Sequence, residues 1–245
     1  MFALLKIIFY QPLYNALVWL SAILPGHNLG LAVIILTVAV KAILLPLQRR
    51  VSYTQIRMKE LEPKIKIIKE DHKDNTEQAR KIMELYREHR VNPFFSILVL
   101  LIQLPVLLSL FYVFRAGFDF NSDLIYSFIS APALVNHWLL GLDLTAKSYV
   151  LAVLTGLTQF IQIRMITPTL PPASKDGKAD IKQDLARSMQ LQMRYVMPVI
   201  IAMVSLGLPA AVPLYWVTSN LFTIAQEWWF HRSLPKLPGT IIGAK

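Results

Sequence analysis

The chain has 245 residues, of which 55% are hydrophobic and 16% charged, and its mean hydropathy is +0.47. Because soluble domains average about a quarter charged residues, this composition excludes an ordinary soluble protein. The sequence contains no cysteine, which excludes disulfides, thiolate metal sites and thiol catalysis.

The first segment, residues 1–28, is apolar but interrupted. Lys6, Asn15 and the Tyr10–Pro12 stretch break its apolar run, and Pro25–Asn28 is a turn signal. Two interpretations remain open: a helix lying in the outer interface of the membrane, or an additional span. We favour the interfacial helix, because its tryptophan and tyrosines suit that depth. Both interpretations give the later segments the same orientation.

Five later stretches predict membrane-spanning helices, since about 20 apolar residues cross a bilayer. They are residues 29–47, 93–115, 148–167, 195–208 and 209–231. Asn92 followed by Pro93 is a helix-start signal for the second span. Pro209 can make a tight turn between the short fourth span and the fifth. We therefore predict an all-α integral membrane protein with a five-span core.

The charges of the connecting segments predict the orientation. Residues 48–92 hold 12 Lys and Arg, residues 164–194 hold 6, and the tail after His231 holds 3, so 21 of the 25 basic residues lie on alternate loops. The positive-inside rule places the loops 48–92 and 168–194 and the tail 232–245 in the cytoplasm, and the loop 116–147 outside. The net charge of +10 then needs no nucleic acid, because loops beside anionic lipid are basic.

Residues 48–92 predict two cytoplasmic helices that pack as an antiparallel hairpin. Leu61 and Ile65 belong to an apolar stripe on the first helix, and Leu85 and Tyr86 belong to the matching stripe on the second. Two helices joined by a short polar link can close on such stripes.

The details of this hairpin leave its role open between two interpretations. We expect Pro63 to kink the first helix, and Asp74 with Glu77 fits a capping box for the second. The segment is either a solvated connection between spans or a mobile docking arm for partner proteins. We favour the docking arm, because a connection does not need 45 structured residues.

Lys41 lies within the first span, roughly 9 Å from its cytoplasmic end at 1.5 Å per residue. An ammonium in hydrocarbon costs at least about 2.5–3.5 kcal/mol. Helical side chains lean toward the N-terminus, here the outer side, which opposes snorkelling to the cytoplasm. A water-filled cavity and a snorkelling or buried lysine are the alternatives, and we favour the cavity.

Polar residues of other spans are candidate neighbours of Lys41. They are Gln103, Gln159, Gln162, Trp216, Ser219, Asn220 and Thr223, followed by Gln226 and Glu227. Each alone is ordinary glue between helices. Together, with most of the fifth-span members on one helical face, they favour a polar cavity. Glu227 is a weaker candidate ion partner, since it lies near the cytoplasmic end of its helix.

Motifs for chemistry are missing from the sequence. It has no G-x-S-x-G and no H-E-x-x-H, and its five histidines are scattered over loops and ends. We therefore expect no enzyme activity, no catalytic residue, no metal and no cofactor. A small transporter is the main alternative, but the internal repeat with paired broken helices that is common in transporters is not seen.

Four motifs resemble one family. The strings LTVAVKAILLPL (36–47), LEPKIKIIKE (61–70), HRVNPFFSILVLLIQLPVLLSLFY (89–112) and LPAAVPLYWVTSNLFTIAQ (208–226) are similar to the YidC-type insertases. These are the bacterial members of the YidC and mitochondrial oxidase-assembly family. QPLYNALVWL (11–20) is similar to the interfacial helix before that family's first core span. The resemblance covers nearly the whole chain in order.

The resemblance implies a membrane protein insertase and chaperone with a hydrophilic groove open to the cytoplasm and to lipid. Its positive groove residue corresponds to Lys41, where the family usually has arginine, and lysine lacks arginine's planar fork. Groove polarity of the second and fifth spans corresponds to Gln103, Trp216 and Asn220. We expect a short form without the large outer domain and without the basic tail that helps some members hold ribosomes.

The resemblance also implies partners and a location. The partners are nascent membrane proteins and lipids, with the ribosome, the Sec translocon and the signal recognition particle receptor as further candidates. The expected location is a bacterial plasma membrane, with the C-terminus in the cytoplasm.

Overall fold

The computed structural model describes residues 6–72, 74–92, 104–106, 108–114, 123–132, 134–166 and 188–233. Contacts divide the chain into two compact units. The first comprises Met1–Ile43 and Leu104–Gln226, and the second comprises Leu44–Gln103 and Glu227–Lys245.

Most described residues are helical, as the all-α prediction requires. In chain order the elements are a π-helical turn Lys6–Tyr10, α1 (Gln11–Ile23), a 3₁₀ turn Pro25–His27, α2 (Leu29–Asp71), α3 (Asn75–Glu88), α4 (Leu104–Phe114, described except at residue 107), β1 (Trp138–Leu139), β2 (Leu142–Asp143), α5 (Tyr149–Ile166), helical residues 188–191, a π-helical turn Gln192–Val196, α6 (Met197–Ser205) and α7 (Ala211–Ser233).

Helix α2 differs from the prediction of a span 29–47 followed by a separate hairpin from residue 48. It is a single helix of 43 residues that includes both Pro46 and Pro63. A proline removes one backbone donor and crowds the preceding turn, and α2 continues across both positions. The first predicted span and the residues predicted as the first hairpin helix therefore belong to one continuous helix.

Two described helical stretches are long and apolar enough to cross a membrane, namely Leu29–Met58 and Tyr149–Ile166. Leu104–Phe114 is a shorter apolar helix. Helix α6 has 9 residues and α7 has 23, which corresponds to roughly 14 and 35 Å. The five-span arrangement stays a prediction.

The core of the first unit joins α1 to the beginning of α2, to α4 and to the beginning of α7. Leu17 and Val18 of α1 are fully buried, as are Leu29 and Val33 of α2. The helices α5 and α6 pack on each other with a close approach at Gly156, where an added Cβ would lie 3.0 Å from the Cβ of Ala202. Small residues allow such close packing between membrane helices.

A buried amide holds part of the segment between α4 and β1 on α1, a segment that the sequence predicts to be an outer loop. The Asn15 side chain, 2% exposed, donates from Nδ2 to the carbonyl oxygen of Leu124 at 2.8 Å and accepts at Oδ1 from the backbone N–H of Tyr126 at 2.7 Å. Gln11 Nε2 donates to the same Leu124 oxygen at 3.3 Å. Asn15 interrupts the apolar pattern of the sequence, and in the structure its side chain fixes the backbone at Leu124 and Tyr126 to α1.

The strands β1 and β2, of two residues each, form a β-hairpin that is hydrogen-bonded to the beginning of α2. The backbone N–H of Leu29 donates to the carbonyl oxygen of Asn136 at 2.9 Å, and Asn28 Nδ2 donates to that of Trp138 at 2.9 Å. Beyond β2, the backbone N–H groups of Ala210 and Ala211 donate to the carbonyl oxygens of Ala146 and Leu144. The β-hairpin therefore lies where α2 and α7 begin.

We predict that Gly30→Ala destabilises this junction. A Cβ at Gly30 would lie 2.7 Å from the Cβ of Leu139, closer than real contacts allow. Overpacking of this kind costs about 1–3 kcal/mol. Thermal unfolding of the purified protein should show the loss. Leu139→Ala in the same chain removes the Cγ and Cδ2 atoms, which lie 2.9 and 2.7 Å from the added Cβ, but keeps the Leu139 Cβ, so it should restore only part of the stability. Additive losses in the double variant would contradict the proposed clash.

In the second unit, the end of α2 and α3 form an antiparallel helical hairpin, the one that the sequence predicts to be cytoplasmic. Lys64 Nζ lies 3.1 Å from His89 Nε2, and His89 Nδ1 lies 2.9 Å from the Leu85 carbonyl oxygen, both within hydrogen-bond distance. At the other end, Gln78 Nε2 donates to the Lys69 oxygen at 3.3 Å. These contacts lie at opposite ends of α3 and join it to α2 along its length.

Asp74 is the N-cap residue of α3, and its Oδ1 accepts a hydrogen bond from the backbone N–H of Thr76 at 3.1 Å. The predicted capping box is only partly formed. Glu77 lies 3.7 Å from His72 Nε2, across the link between the helices, whereas a capping box would turn it toward the Asp74 amide.

Candidate functional site

Three helices of the first unit bring together a set of buried polar side chains. This polar cluster consists of Lys41 on α2, Thr155 and Thr158 on α5, and Ser219, Asn220 and Thr223 on α7. All six are less than 9% exposed. Buried polar groups are costly unless they are hydrogen-bonded, so the partners of each group determine what the cluster can do.

Lys41 is joined to α7 by one hydrogen bond. Its Nζ donates to Thr223 Oγ1 at 3.2 Å, and Thr223 Oγ1 in turn donates to the carbonyl oxygen of Ser219 at 2.9 Å. The side chain is 8% exposed, and its ammonium forms no ion pair with a carboxylate within the described parts of the chain. An ammonium can donate three hydrogen bonds, so this one keeps capacity for further acceptors.

Asn220 joins α7 to α5. Its Nδ2 donates to Thr158 Oγ1 at 3.1 Å. The Thr158 hydroxyl donates back to the carbonyl oxygens of its own helix, Leu154 at 2.8 Å and Thr155 at 3.1 Å. The Thr155 hydroxyl likewise donates to the Leu151 oxygen at 2.8 Å. The α5 side of the cluster is therefore a row of hydroxyl groups.

Sequence reasoning missed Thr155 and Thr158, although both are buried in the cluster. The sequence contains one signal for them: a spacing of three residues places both hydroxyl groups on one face of an otherwise apolar helix. Hydroxyls in membrane helices are usually bonded to their own backbone, so the spacing alone did not distinguish them from structural residues.

Two acceptors beside this cluster accept no hydrogen bond from the described protein groups, namely Gln162 Oε1 on α5 and Gln226 Oε1 on α7. Both atoms are shielded within the protein. Leaving a buried acceptor unsatisfied costs about 1–3 kcal/mol, so these two acceptors destabilise the helices that carry them.

The remaining predicted groove residues are less buried or are not described. Trp216 and Gln159 are half-buried. Gln103 lies outside the described residues. Of the eight predicted groove residues, Lys41, Ser219, Asn220 and Thr223 thus belong to the polar cluster.

An apolar cleft of about 460 Å³ lies on another side of α5, between it and α6. Phe160, Tyr195 and Met203 are among its lining side chains, and none of the predicted groove residues lines it. Helix α5 therefore presents hydroxyl groups toward α7 and an apolar surface toward α6.

A second polar contact lies in the second unit. Ser52 Oγ donates to Glu227 Oε1 at 2.7 Å, and both side chains are buried, as is Gln48 one turn before Ser52. The sequence makes Glu227 a weaker candidate ion partner of Lys41, and in the structure its Oε1 accepts from the Ser52 hydroxyl.

Most of the predicted hairpin residues lie on the side of each helix that faces the other helix, and one lies on the exposed side. Leu61 is buried, and Ile65, Leu85 and Tyr86 are half-buried between the helices, whereas Pro63 is exposed. Burial, together with the nearby negative charge of Glu62, raises the pKa of Tyr86 above its ordinary value.

Within the described residues, no group of three or more His, Asp or Glu side chains is placed to hold a metal ion.

Comparison with known proteins gives consistent results. The family described as "60Kd inner membrane protein" matches residues 19–237. The membrane protein insertase YidC of Ectopseudomonas mendocina (strain ymp) is 29% identical over 227 residues, which cover 91% of this chain and 34% of that protein. The YidC proteins of Geotalea daltonii and Francisella tularensis subsp. novicida are 31% and 33% identical, over 85% and 82% of this chain and 35% and 32% of theirs.

A solved structure is also similar. It is described as an active YidC insertase crystal structure with the first transmembrane domain resolved, and it matches with a TM-score of 0.55 and 26% identity over 90% of this chain and 45% of that one. The chain spans about a third of the length of the curated relatives it matches. These relatives are named as insertases rather than as enzymes.

Proposed function

We propose that this chain, which belongs to the 60Kd inner membrane protein family, inserts newly made membrane proteins into the bilayer and assists their folding. Membership confirms the resemblance carried by the four sequence motifs. The single observation that supports the mechanism below is the buried Lys41 ammonium, whose described bond is to the Thr223 hydroxyl rather than to a carboxylate.

The energetic problem of insertion is the polar flank of the client chain. Each charge that crosses hydrocarbon costs at least about 2.5–3.5 kcal/mol. A hydrated groove that reaches partway through the bilayer shortens the apolar distance and lowers this cost. The polar cluster would form its wall.

Lys41 would give this groove its selectivity. Its ammonium attracts acidic residues of the segment that is translocated, and the attraction is stronger in a low-dielectric wall than in water. The apolar helix of the client would then leave sideways into lipid, driven by burial of about 0.8 kcal/mol per methylene. No bond is made or broken in this sequence of steps, so no catalytic residue and no cofactor is needed.

The proposed topology has five spans, with the groove open to the cytoplasm and to lipid and the C-terminus in the cytoplasm. The charge distribution of the loops supports this orientation. Helix α1 would lie in the outer interface. Its 13 residues extend roughly 20 Å, less than a bilayer core, and Gln11 and Asn15 both bond the outer loop near Leu124.

The cytoplasmic hairpin would receive the client. Its two helices are charged on the outside, yet Ile67 and Met83 are 57% and 47% exposed. Exposed apolar side chains on a basic arm suit the apolar segments of nascent chains and the anionic lipid surface. The ribosome, the Sec translocon and the signal recognition particle receptor are proposed as further partners, on the resemblance alone.

A depletion experiment tests the proposed function. A bacterial host is depleted of its own insertase, this chain is expressed, and insertion of a short client with an acidic translocated tail is followed by protease accessibility of the tail. We expect the chain to restore translocation. Failure to restore it for every client tried, despite correct membrane targeting, would contradict the proposal. Carrier-like solute flux in proteoliposomes would favour a transporter instead.

A further inference from the structure

The outer loop exposes several large apolar side chains. Phe128, Leu134, Trp138 and Leu140 are between 58% and 95% exposed, and Leu140 is the most exposed of them. Single exposed apolar residues are common on protein surfaces, but four in one loop of this length are a feature that needs a partner.

Leu140 also has an unusual backbone conformation. It occupies the first position of the two-residue turn of the β-hairpin, with φ of +49°, and Gly141 follows with φ of +80°. This is the type I′ arrangement, in which Asn-Gly is the preferred pair. A leucine there is strained, and its side chain, 95% exposed, packs on none of the residues that the structure describes. Strain of this kind is often retained for a function.

The position of the turn indicates what the leucine meets. Backbone hydrogen bonds join the β-hairpin and the residues after it to the first residues of α2 and α7, and the Ser148 hydroxyl accepts from the N–H of Leu151 at the beginning of α5. Three helices therefore begin beside this β-hairpin. In the proposed topology these are the outer ends of membrane spans, so the turn lies at the height of the lipid headgroups.

We propose that the hairpin tip, residues Trp138–Gly141, inserts into the outer leaflet at the boundary between headgroups and acyl chains. The inference rests on the proposed topology but not on insertase activity. Tryptophan is enriched at this boundary because its ring is apolar and its N–H is polar. A leucine beyond it, at the end of a tight turn, then places its side chain about 5–10 Å below the headgroups.

This anchoring would have a consequence for the fold. The tip is bonded through Asn28 and Leu29 to the beginning of α2, the helix that carries Lys41. A tip held in the outer leaflet fixes the height of the outer end of α2 in the bilayer. Lys41, twelve residues further along, is then held roughly 18 Å below it.

Spin labelling tests the proposal directly, because the chain has no cysteine and any introduced cysteine is unique. Leu140→Cys is labelled with a nitroxide and the protein is reconstituted, without client or translocon, in vesicles of phosphatidylethanolamine and phosphatidylglycerol. Collisions with oxygen and with a water-soluble nickel chelate report the depth. Val153→Cys on α5 and Thr76→Cys on the cytoplasmic hairpin, both exposed, calibrate lipid and water.

We expect the Leu140 probe to shift from the Thr76 value toward the Val153 value. A probe as accessible to the chelate as Thr76 would overturn the proposal, and so would shielding that occurs only when a protein partner is added. The measurement is made without a client, so it can fail while insertion in the depletion assay succeeds, and the reverse.

A second variant separates loss of the anchor from loss of the fold. Leu140→Asn introduces the residue that the turn prefers, so the β-hairpin should remain intact. With the nitroxide placed at Trp138→Cys, this change should shift the probe toward water. An unchanged depth would overturn the role of Leu140.

Discussion

Replacing Lys41 with methionine is expected to reduce insertion of a client with an acidic translocated tail by at least about tenfold, which corresponds to 1.4 kcal/mol. Methionine keeps the length and the apolar stem of the side chain and removes the charge. The magnitude follows because a client charge costs at least about 2.5–3.5 kcal/mol in hydrocarbon, and the ammonium offsets part of that cost. Insertion is measured as the protected fraction of the tail in the depleted host.

Three matched variants separate charge from packing at this position. Lys41→Arg keeps the charge and should retain insertion. Thr37 is buried and lies one turn before Lys41 in α2. Among the described residues, its hydroxyl bonds the Val33 oxygen of its own helix, at 2.6 Å. Thr37→Val removes this hydroxyl but no contact between helices, so insertion should be unchanged. Thr223→Val removes the described acceptor of the ammonium and should cause a smaller loss than Lys41→Met, because the charge remains.

The client provides the decisive control. If Lys41 attracts acidic residues, the defect of Lys41→Met should grow with the number of acidic residues in the tail and nearly vanish for a tail made neutral by Asp→Asn changes. Full insertion of the acidic client by Lys41→Met would remove the proposed role of the charge. Loss of folding does not explain a defect here, since replacing a buried unpaired charge with an apolar group is expected to maintain or raise stability.

Replacing Asn15 with leucine is expected to lower the free energy of unfolding by about 1–3 kcal/mol, because one part-buried backbone N–H loses its partner and one carbonyl oxygen loses the shorter of its side-chain hydrogen bonds. Those groups are the N–H of Tyr126, which donates to Asn15 Oδ1 at 2.7 Å, and the carbonyl oxygen of Leu124. Leucine has the same number and branching of heavy atoms and leaves no cavity, so the expected loss arises chiefly from hydrogen bonding. Denaturant unfolding in detergent micelles measures it.

Gln11→Leu is the control for this prediction. Gln11 bonds the same Leu124 oxygen, but at 3.3 Å and from a partly exposed position, so its loss should cost well under half as much. Equal losses in the two variants would show that the buried amide of Asn15 is not the main clamp of the outer loop. Spin labels on Ser127 should also become more mobile in Asn15→Leu alone.

Local patterns of the sequence predict the helical membrane class, the orientation and the helical hairpin of this protein. Apolar runs separated by basic loops indicate a helical membrane protein and its orientation, because hydrocarbon excludes unsatisfied backbone and because basic residues stay inside. The stripes of Leu61 and Leu85 indicate the cytoplasmic hairpin by helical periodicity. Lys41 is identified as unusual by one fact, an ammonium inside an apolar run.

The tertiary structure decided the partners of these residues, and it corrected one boundary. Periodicity could not show that Thr158 meets Asn220 or that Asn15 clamps Leu124, since those pairs are 62 and 109 residues apart and depend on how helices pack. It also placed a boundary at residue 48 where α2 runs on to Asp71. Whether a residue lies in a helix depends mainly on its neighbours in the sequence. Which distant residue its side chain bonds depends on which helices pack together, because that packing buries both polar groups side by side.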